Sequence, residues 1–202
     1  MRARPALAAL VLLLLAVPAA GAKSQLRVTF VGDSVPASLD YVPSARAVIR
    51  RGMSLTLDLK VCRRLVATSC PYKGKAPTTA LQAVRSYGRS LGDVVIVDVG
   101  YNEDGRGYTE GIDEVMNAAL SQGAKCVVWV TLRETRAVYR PANMAIRSAA
   151  RRWPQLLVAD WNSYSAGKPW FRKDGLHLTP AGADVLAGFL RGYVMQGSKL
   201  GG

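Results

Sequence analysis

Hydrophobic and polar positions along this chain follow two alternating periods. Leu26 to Val31 is rich in β-branched and aromatic residues and is closed by Gly32, which predicts a first strand. Ser44 to Arg51 predicts a helix, with Gly52 as its stop. Leu55 to Val61 alternates apolar and polar residues, as a half-buried strand does. Arg63 to Pro77 holds Pro71, Gly74 and Pro77 and predicts a loop. Thr78 is placed to cap a helix running to about Leu91. Asp93 to Val99 carries Val94, Val95, Ile96, Val97 and Val99, the plainest buried strand of the chain. Thr109 to Gln122 predicts a helix ended by Gly123, and Lys125 to Leu132 a second buried strand. Pro141 suits the first turn of the next helix, which ends before Pro154. Leu156 to Ala159 predicts a short strand, and Thr179-Pro180 opens a final helix with a capping threonine and a proline at the first helical position.

Five strands interleaved with helices imply an α/β fold: a flavodoxin-like, three-layer α/β/α arrangement around a five-stranded parallel sheet, with right-handed crossovers. No internal repeat or long linker divides the chain of 202 residues, so residues 23–202 are expected to form one domain. Residues 1–22 read differently. Arg2 and Arg4 precede an apolar run from Ala6 to Val17, Pro18 breaks it, and Ala20-Gly21-Ala22 supplies small residues for cleavage. This is the pattern of a secretory signal peptide, with an uncleaved anchor as the alternative. The run is short for a membrane span and no second one follows, so the cleaved chain is expected to lack an integral membrane segment and to be secreted, extracellular or periplasmic.

Charge narrows the partners. The formal net charge is +13, and removing residues 1–22 takes away two arginines and no acid, leaving +11. Such a chain is drawn to anionic cell-surface polymers. Its basic residues are scattered and no nucleic-acid motif appears, so nucleic acid is not expected as a partner. Of three cysteines, Cys62 and Cys70 lie close together and flank a loop, the natural disulfide pair for an exported chain. Cys126 begins an apolar strand and reads as a buried free thiol. No spacing matches a zinc site, and neither metal nor organic cofactor is expected.

In an open α/β sheet, ligands bind beyond the C-terminal ends of the strands. Gly32-Asp33-Ser34 follows the first predicted strand, Gly100-Tyr101-Asn102 the third, Arg133 to Arg136 the fourth, and Asp160-Trp161-Asn162 the fifth. Asp174-Gly175-Leu176-His177, holding the only histidine, precedes the last helix. A serine hydroxyl needs a base to take its proton, imidazole titrates in the right range, and an amide can donate to an oxyanion.

Gly-Asp-Ser after the first strand, Gly-x-Asn after the third and Asp-x-x-His before the last helix resemble the SGNH hydrolases, the GDSL-like esterase/lipase superfamily. The resemblance spans the whole cleaved chain in element order. It implies Ser34 as nucleophile, His177 as base, Asp174 as its orienting partner, and Asn102 with the Ser34 backbone N–H as oxyanion donors. The family takes a third donor from a glycine after the second strand, within valine-glycine-arginine. Here that place reads Val61-Cys62-Arg63, so the donor is either the Cys62 N–H or, further along the loop, that of Gly74.

Arg133 and Arg136 stand at the substrate rim, either to bind a carboxylate or phosphate or to pair with Glu134 and neighbouring acids, and Arg63 and Arg64 pose the same choice. Trp161, Trp170 and Phe171 are expected to pack the histidine loop rather than to form a sugar-stacking wall. The reading is a secreted, monomeric serine esterase acting on short-chain acyl esters of small molecules or carbohydrates. An O-acyltransferase on cell-surface carbohydrate, or a non-catalytic cell-wall-binding domain, are its alternatives.

Overall fold

The computed structural model describes residues 25–200; the signal segment read at residues 1–22 lies outside them. Five parallel strands form one sheet in the order β2-β1-β3-β4-β5: β1 Leu26–Gly32, β2 Met53–Leu59, β3 Val94–Asp98, β4 Cys126–Val130 and β5 Leu156–Ala159. The helices are α1 Ser38–Tyr41, α2 Pro43–Arg50, α3 Ala80–Tyr87, α4 Tyr108–Ser121, α5 Tyr139–Arg152, α6 Trp161–Tyr164 and α7 Pro180–Gly197. This is the α/β fold that the sequence predicts.

The strand period explains the two cores. Side chains of successive strand residues point to opposite faces. Val95, Val97, Val127 and Trp129 therefore meet the face covered by α3, α4 and α5, while Val94, Ile96, Cys126, Val128 and Val130 meet α2 and α7 on the other. Cys126 is a buried free thiol, and burial pushes it up to about 11. None of the described helices is long and apolar enough to cross a membrane.

Several boundaries differ from the sequence expectation. Strand β2 ends at Leu59, because the chain turns at once: Arg63 N–H donates to Lys60 O at 3.2 Å and Cys62 takes a left-handed φ of 67°. The α3 cap is Thr79 rather than Thr78. Thr79 Oγ1 accepts from Gln82 N–H while Gln82 Oε1 accepts from Thr79 N–H, a reciprocal capping box. Thr78 instead spends both its oxygens on Arg63. Helix α3 stops at Tyr87, and a 3-10 turn, Gly88–Leu91, carries the chain to β3. The short helices α1 and α6 had no signature in the pattern.

Candidate active site

The strand order reverses between β1 and β3, and the loops leaving these strands stand side by side at the C-terminal edge of the sheet. Asp33 ties them together. Its Oδ1 accepts from Val35 N–H at 3.0 Å, and its Oδ2 accepts from Gly100 N–H at 3.2 Å and Tyr101 N–H at 3.1 Å. Asp33 N–H in turn donates to Asp98 O at 3.0 Å. The turn carrying Ser34 is thereby pinned to the block carrying Asn102. Gly100 is a glycine for lack of room: with φ of 152°, a Cβ there would lie 2.7 Å from Leu132 Cδ1.

The sequence brings His177 to the same edge from the far end of the chain. Phe171 and Leu178 pair as an antiparallel bridge, and Arg172 N–H donates to His177 O at 2.7 Å, closing the loop that carries the Asp174 block. A Cβ on Gly182 would lie 2.1 Å from Trp170 O, so the first turn of α7 is held directly against this loop. His177 Nε2 lies 3.2 Å from Ser34 Oγ, and Nδ1 lies 2.8 Å from Asp174 Oδ2. The other Asp174 oxygen accepts from the N–H of Leu176 at 2.9 Å and of His177 at 3.0 Å. Donors on both oxygens hold the Asp174 carboxyl down at about 2, although its side chain is 49% exposed. Such a relay can move a proton from a hydroxyl to an imidazole whose tautomer a carboxylate fixes.

Asn102 joins the site through the loop after β2. Its Nδ2 donates to Arg63 O at 3.1 Å, and Arg64 Nε donates to Asn102 O at 2.8 Å. The arginines after β2 are thus structural. Arg63 is fully buried, bonded to Asp58 Oδ1 at 2.9 Å and to Thr78 O at 3.0 Å, with Gly32 O at 3.5 Å. A buried guanidinium with such partners fastens the ends of β1 and β2 to the loop before α3. The Cys62–Cys70 disulfide is present, and Cys70 N–H donates to Cys62 O at 3.3 Å. Lys60 N–H donates to Gly32 O at 3.0 Å, so the turn that presents Cys62 abuts the turn that presents Ser34. The Cys62 N–H has no protein acceptor among the described residues. Gly74 is placed differently, at φ of 78° after Lys73 at 50°, in an exposed turn closed by Tyr72 and Lys75. That hairpin turn explains its glycine.

At the rim, neither Arg133 nor Arg136 pairs with an acid among the described residues. Glu134 pairs instead with Arg140 at 3.5 Å and accepts from Asn143 Nδ2 at 2.9 Å. The Arg133 guanidinium lies over Phe171, 3.6 Å from the ring centroid, while exposed Arg136 lies 5.7 Å from the Tyr139 ring. Trp161 is buried and stacks on Trp170 at 5.8 Å, with Phe171 edge-on, so these aromatics pack the histidine loop as expected.

Two buried carboxylates were not singled out in the sequence. Burial raises Asp33 to about 6 despite its three N–H donors. Asp98 is raised well above the usual carboxylate range, first by burial and then by the charge of Asp33, and its Oδ1 has no partner. Asp33 lies within the recognised Gly-Asp-Ser block, so its position was legible even if its task was not. Asp98 looked like one more strand residue.

The fold and its strand-end blocks define the class: the chain has the fold of the SGNH hydrolases, the superfamily its motifs resemble. It is similar to the peptidoglycan O-acetyltransferase OatA of Listeria monocytogenes, at 32% identity over 165 residues, or 79% of this chain. The chain spans only 22% of that relative's length. Among solved structures, it resembles the psychrotrophic esterase EstA from Pseudoalteromonas sp., at TM-score 0.61 and 12% identity, covering 84% of this chain and 96% of that one. It also resembles a carbohydrate acetylesterase family member from Sinorhizobium meliloti, at TM-score 0.64 and 12% identity, covering 85% of this chain and 98% of that one. No family profile matches the chain.

Proposed function

We propose that this chain is an exported serine enzyme that cleaves carboxylic esters, with short acyl groups as its substrates. One observation carries the reading: the relay from Ser34 Oγ through His177 to Asp174, at 3.2 and 2.8 Å. Nε2 takes the Ser34 proton as Oγ bonds to the ester carbonyl carbon. The oxyanion that forms receives the N–H groups of Ser34 and Cys62 and the amide of Asn102. Collapse expels the alcohol, which leaves with the proton from Nε2. Water, deprotonated by the same nitrogen, then releases the acid and restores Ser34. Asn102 Nδ2 exchanges its bond to Arg63 O for the oxyanion, a stronger acceptor because it is charged.

A second reading is supported by the identity with the O-acetyltransferase: a sugar hydroxyl replaces water in the second half of the cycle. The same residues serve both, and only the acceptor differs. A panel of p-nitrophenyl esters of increasing chain length tests the esterase reading. Ser34→Ala and His177→Ala should each lower hydrolysis on the order of a thousandfold or more, and the double variant little further, because the groups act as a unit. Retention of about a tenth of the activity in Ser34→Ala would be far too much for a lost nucleophile and would exclude that role. Adding a carbohydrate acceptor and analysing products by mass separates the two readings: acyl-sugar marks transfer, free acid alone marks hydrolysis.

A further inference from the structure

An open cavity of about 580 Å³ lies at the β4–β5 side of the site, lined by Arg133, Glu134, Thr135, Asn162, Ser163 and Ala166. None of the proposed catalytic residues lines it, but its walls adjoin the segments that carry them. Arg133 N–H donates to Tyr101 OH at 2.8 Å, next to Asn102, and the Arg133 guanidinium covers Phe171, whose bridge partner Leu178 adjoins His177. Thr135 Cγ2 lies 3.9 Å from where a Cβ on Gly175 would sit, between Asp174 and Leu176.

The charges in this cavity are unbalanced in one direction. Glu134 is occupied by Arg140 and Asn143, and Asn162 Oδ1 accepts from Glu134 N–H at 2.9 Å. That leaves the Asn162 amide N–H group without a protein acceptor among the described residues. Arg133 has no side-chain acceptor there either, and its Nη1 is fully covered yet unbonded. A guanidinium keeps its charge at every working pH and presents a planar fork. Held over an aromatic ring, with Nε and Nη2 neither covered nor bonded within the described residues, the open edge of this fork matches a carboxylate, which accepts two parallel N–H bonds.

We infer that Arg133, with the Asn162 amide, forms a subsite for a carboxylate carried on the alcohol portion of the ester. The inference rests on the esterase reading above. Position argues for the alcohol side. The proposed oxyanion donors come from the ends of β2, β1 and β3, whereas the cavity follows β4 and β5, against the loop that carries His177. The leaving oxygen must take its proton from His177 Nε2, so the alcohol departs on that side.

The test compares 4-acetoxybenzoate with its methyl ester, which differ in the carboxylate. Arg133→Met keeps an unbranched side chain against Phe171 and removes the charge; Arg133→Lys restores a charge without the fork. The KM of the carboxylate relative to that of the methyl ester should rise about tenfold in Arg133→Met, the effect of one lost charge-assisted hydrogen bond, and fall part of the way back in Arg133→Lys. An unchanged ratio overturns the subsite, including the case in which kcat falls equally for both esters, which would show that Arg133 only packs the histidine loop. If the parent protein cleaves neither ester, the esterase reading fails and takes the subsite with it.

Discussion

Two carboxylates near Ser34 live in opposite environments. Asp174 is half exposed with donors on both oxygens and is held down at about 2, so it stays ionised through the whole working pH range. Asp33 is buried and sits at about 6, with Asp98 raised beside it. A carboxyl raised in the folded state stabilises the fold below its ordinary value near 3.8, and that stabilisation is lost as pH rises through about 6. Urea unfolding should therefore show stability falling between about pH 4 and pH 6, by on the order of a few kcal/mol. Asp98→Asn keeps the shape of the protonated acid and removes its proton equilibrium. This variant should unfold at pH 7 within about 1 kcal/mol of the parent, or above it, and its drop across the window should be smaller. An equal drop in both proteins would show that the two acids are not linked. Asn102 is predicted to act at the same scale. Asn102→Ala should lower kcat on the order of a hundredfold with little change in KM, because an oxyanion donor acts on the developing charge. A rise in KM alone would make Asn102 a substrate-binding residue.

At the scale of elements, the loop after β2 holds a departure from the pattern that the other blocks resemble. Cysteine stands at a left-handed position, φ of 67°, where the family pattern has glycine, and its disulfide to Cys70 closes a loop over a separation of 8 residues. The gain from so short a loop is modest, about 2–3 kcal/mol on the entropic account. Its position matters more, since this turn abuts the Ser34 turn through Gly32 O. Mild reduction should thus lower kcat at concentrations of reductant that leave the circular dichroism spectrum unchanged. If kcat is untouched after complete reduction, the bridge does not brace the oxyanion site. Legibility in the sequence also divides by element. The five strands, α2, α4, α5 and α7 could be read because their periodicity is strong and glycine or proline marks their ends. The end of β2 could not, because Val61 continues the alternation while the bond from Arg63 N–H to Lys60 O and the turn at Cys62 end the strand. The α3 cap was displaced by one residue because two threonines adjoin and only tertiary contact assigns Thr78 to Arg63. Ser34, His177, Asp174 and Asn102 could be placed at one edge from their blocks. The burial of Arg63 and the isolation of Arg133 depend on which loops meet, and sequence separation conceals that.

At the scale of the molecule, the parallel sheet gathers loops from five strands at one edge, and the chain as a whole carries an excess of basic side chains. A net charge of +11 without residues 1–22 predicts salt-dependent adsorption to anionic polymers or vesicles. Binding at low ionic strength should be largely released above about 0.3 M salt, where the screening length is well below the roughly 8 Å of physiological buffer; sedimentation with anionic vesicles measures it. Binding that persists at high salt would point to a specific site instead. The account as a whole turns on one hydroxyl. Labelling of the protein without residues 1–22 by a fluorophosphonate, followed by peptide mass mapping, tests it most directly. The prediction is a single phosphonyl adduct on Ser34, greatly slowed in His177→Ala. No adduct, or an adduct on another residue while Ser34 stays unmodified, would contradict the proposed enzyme.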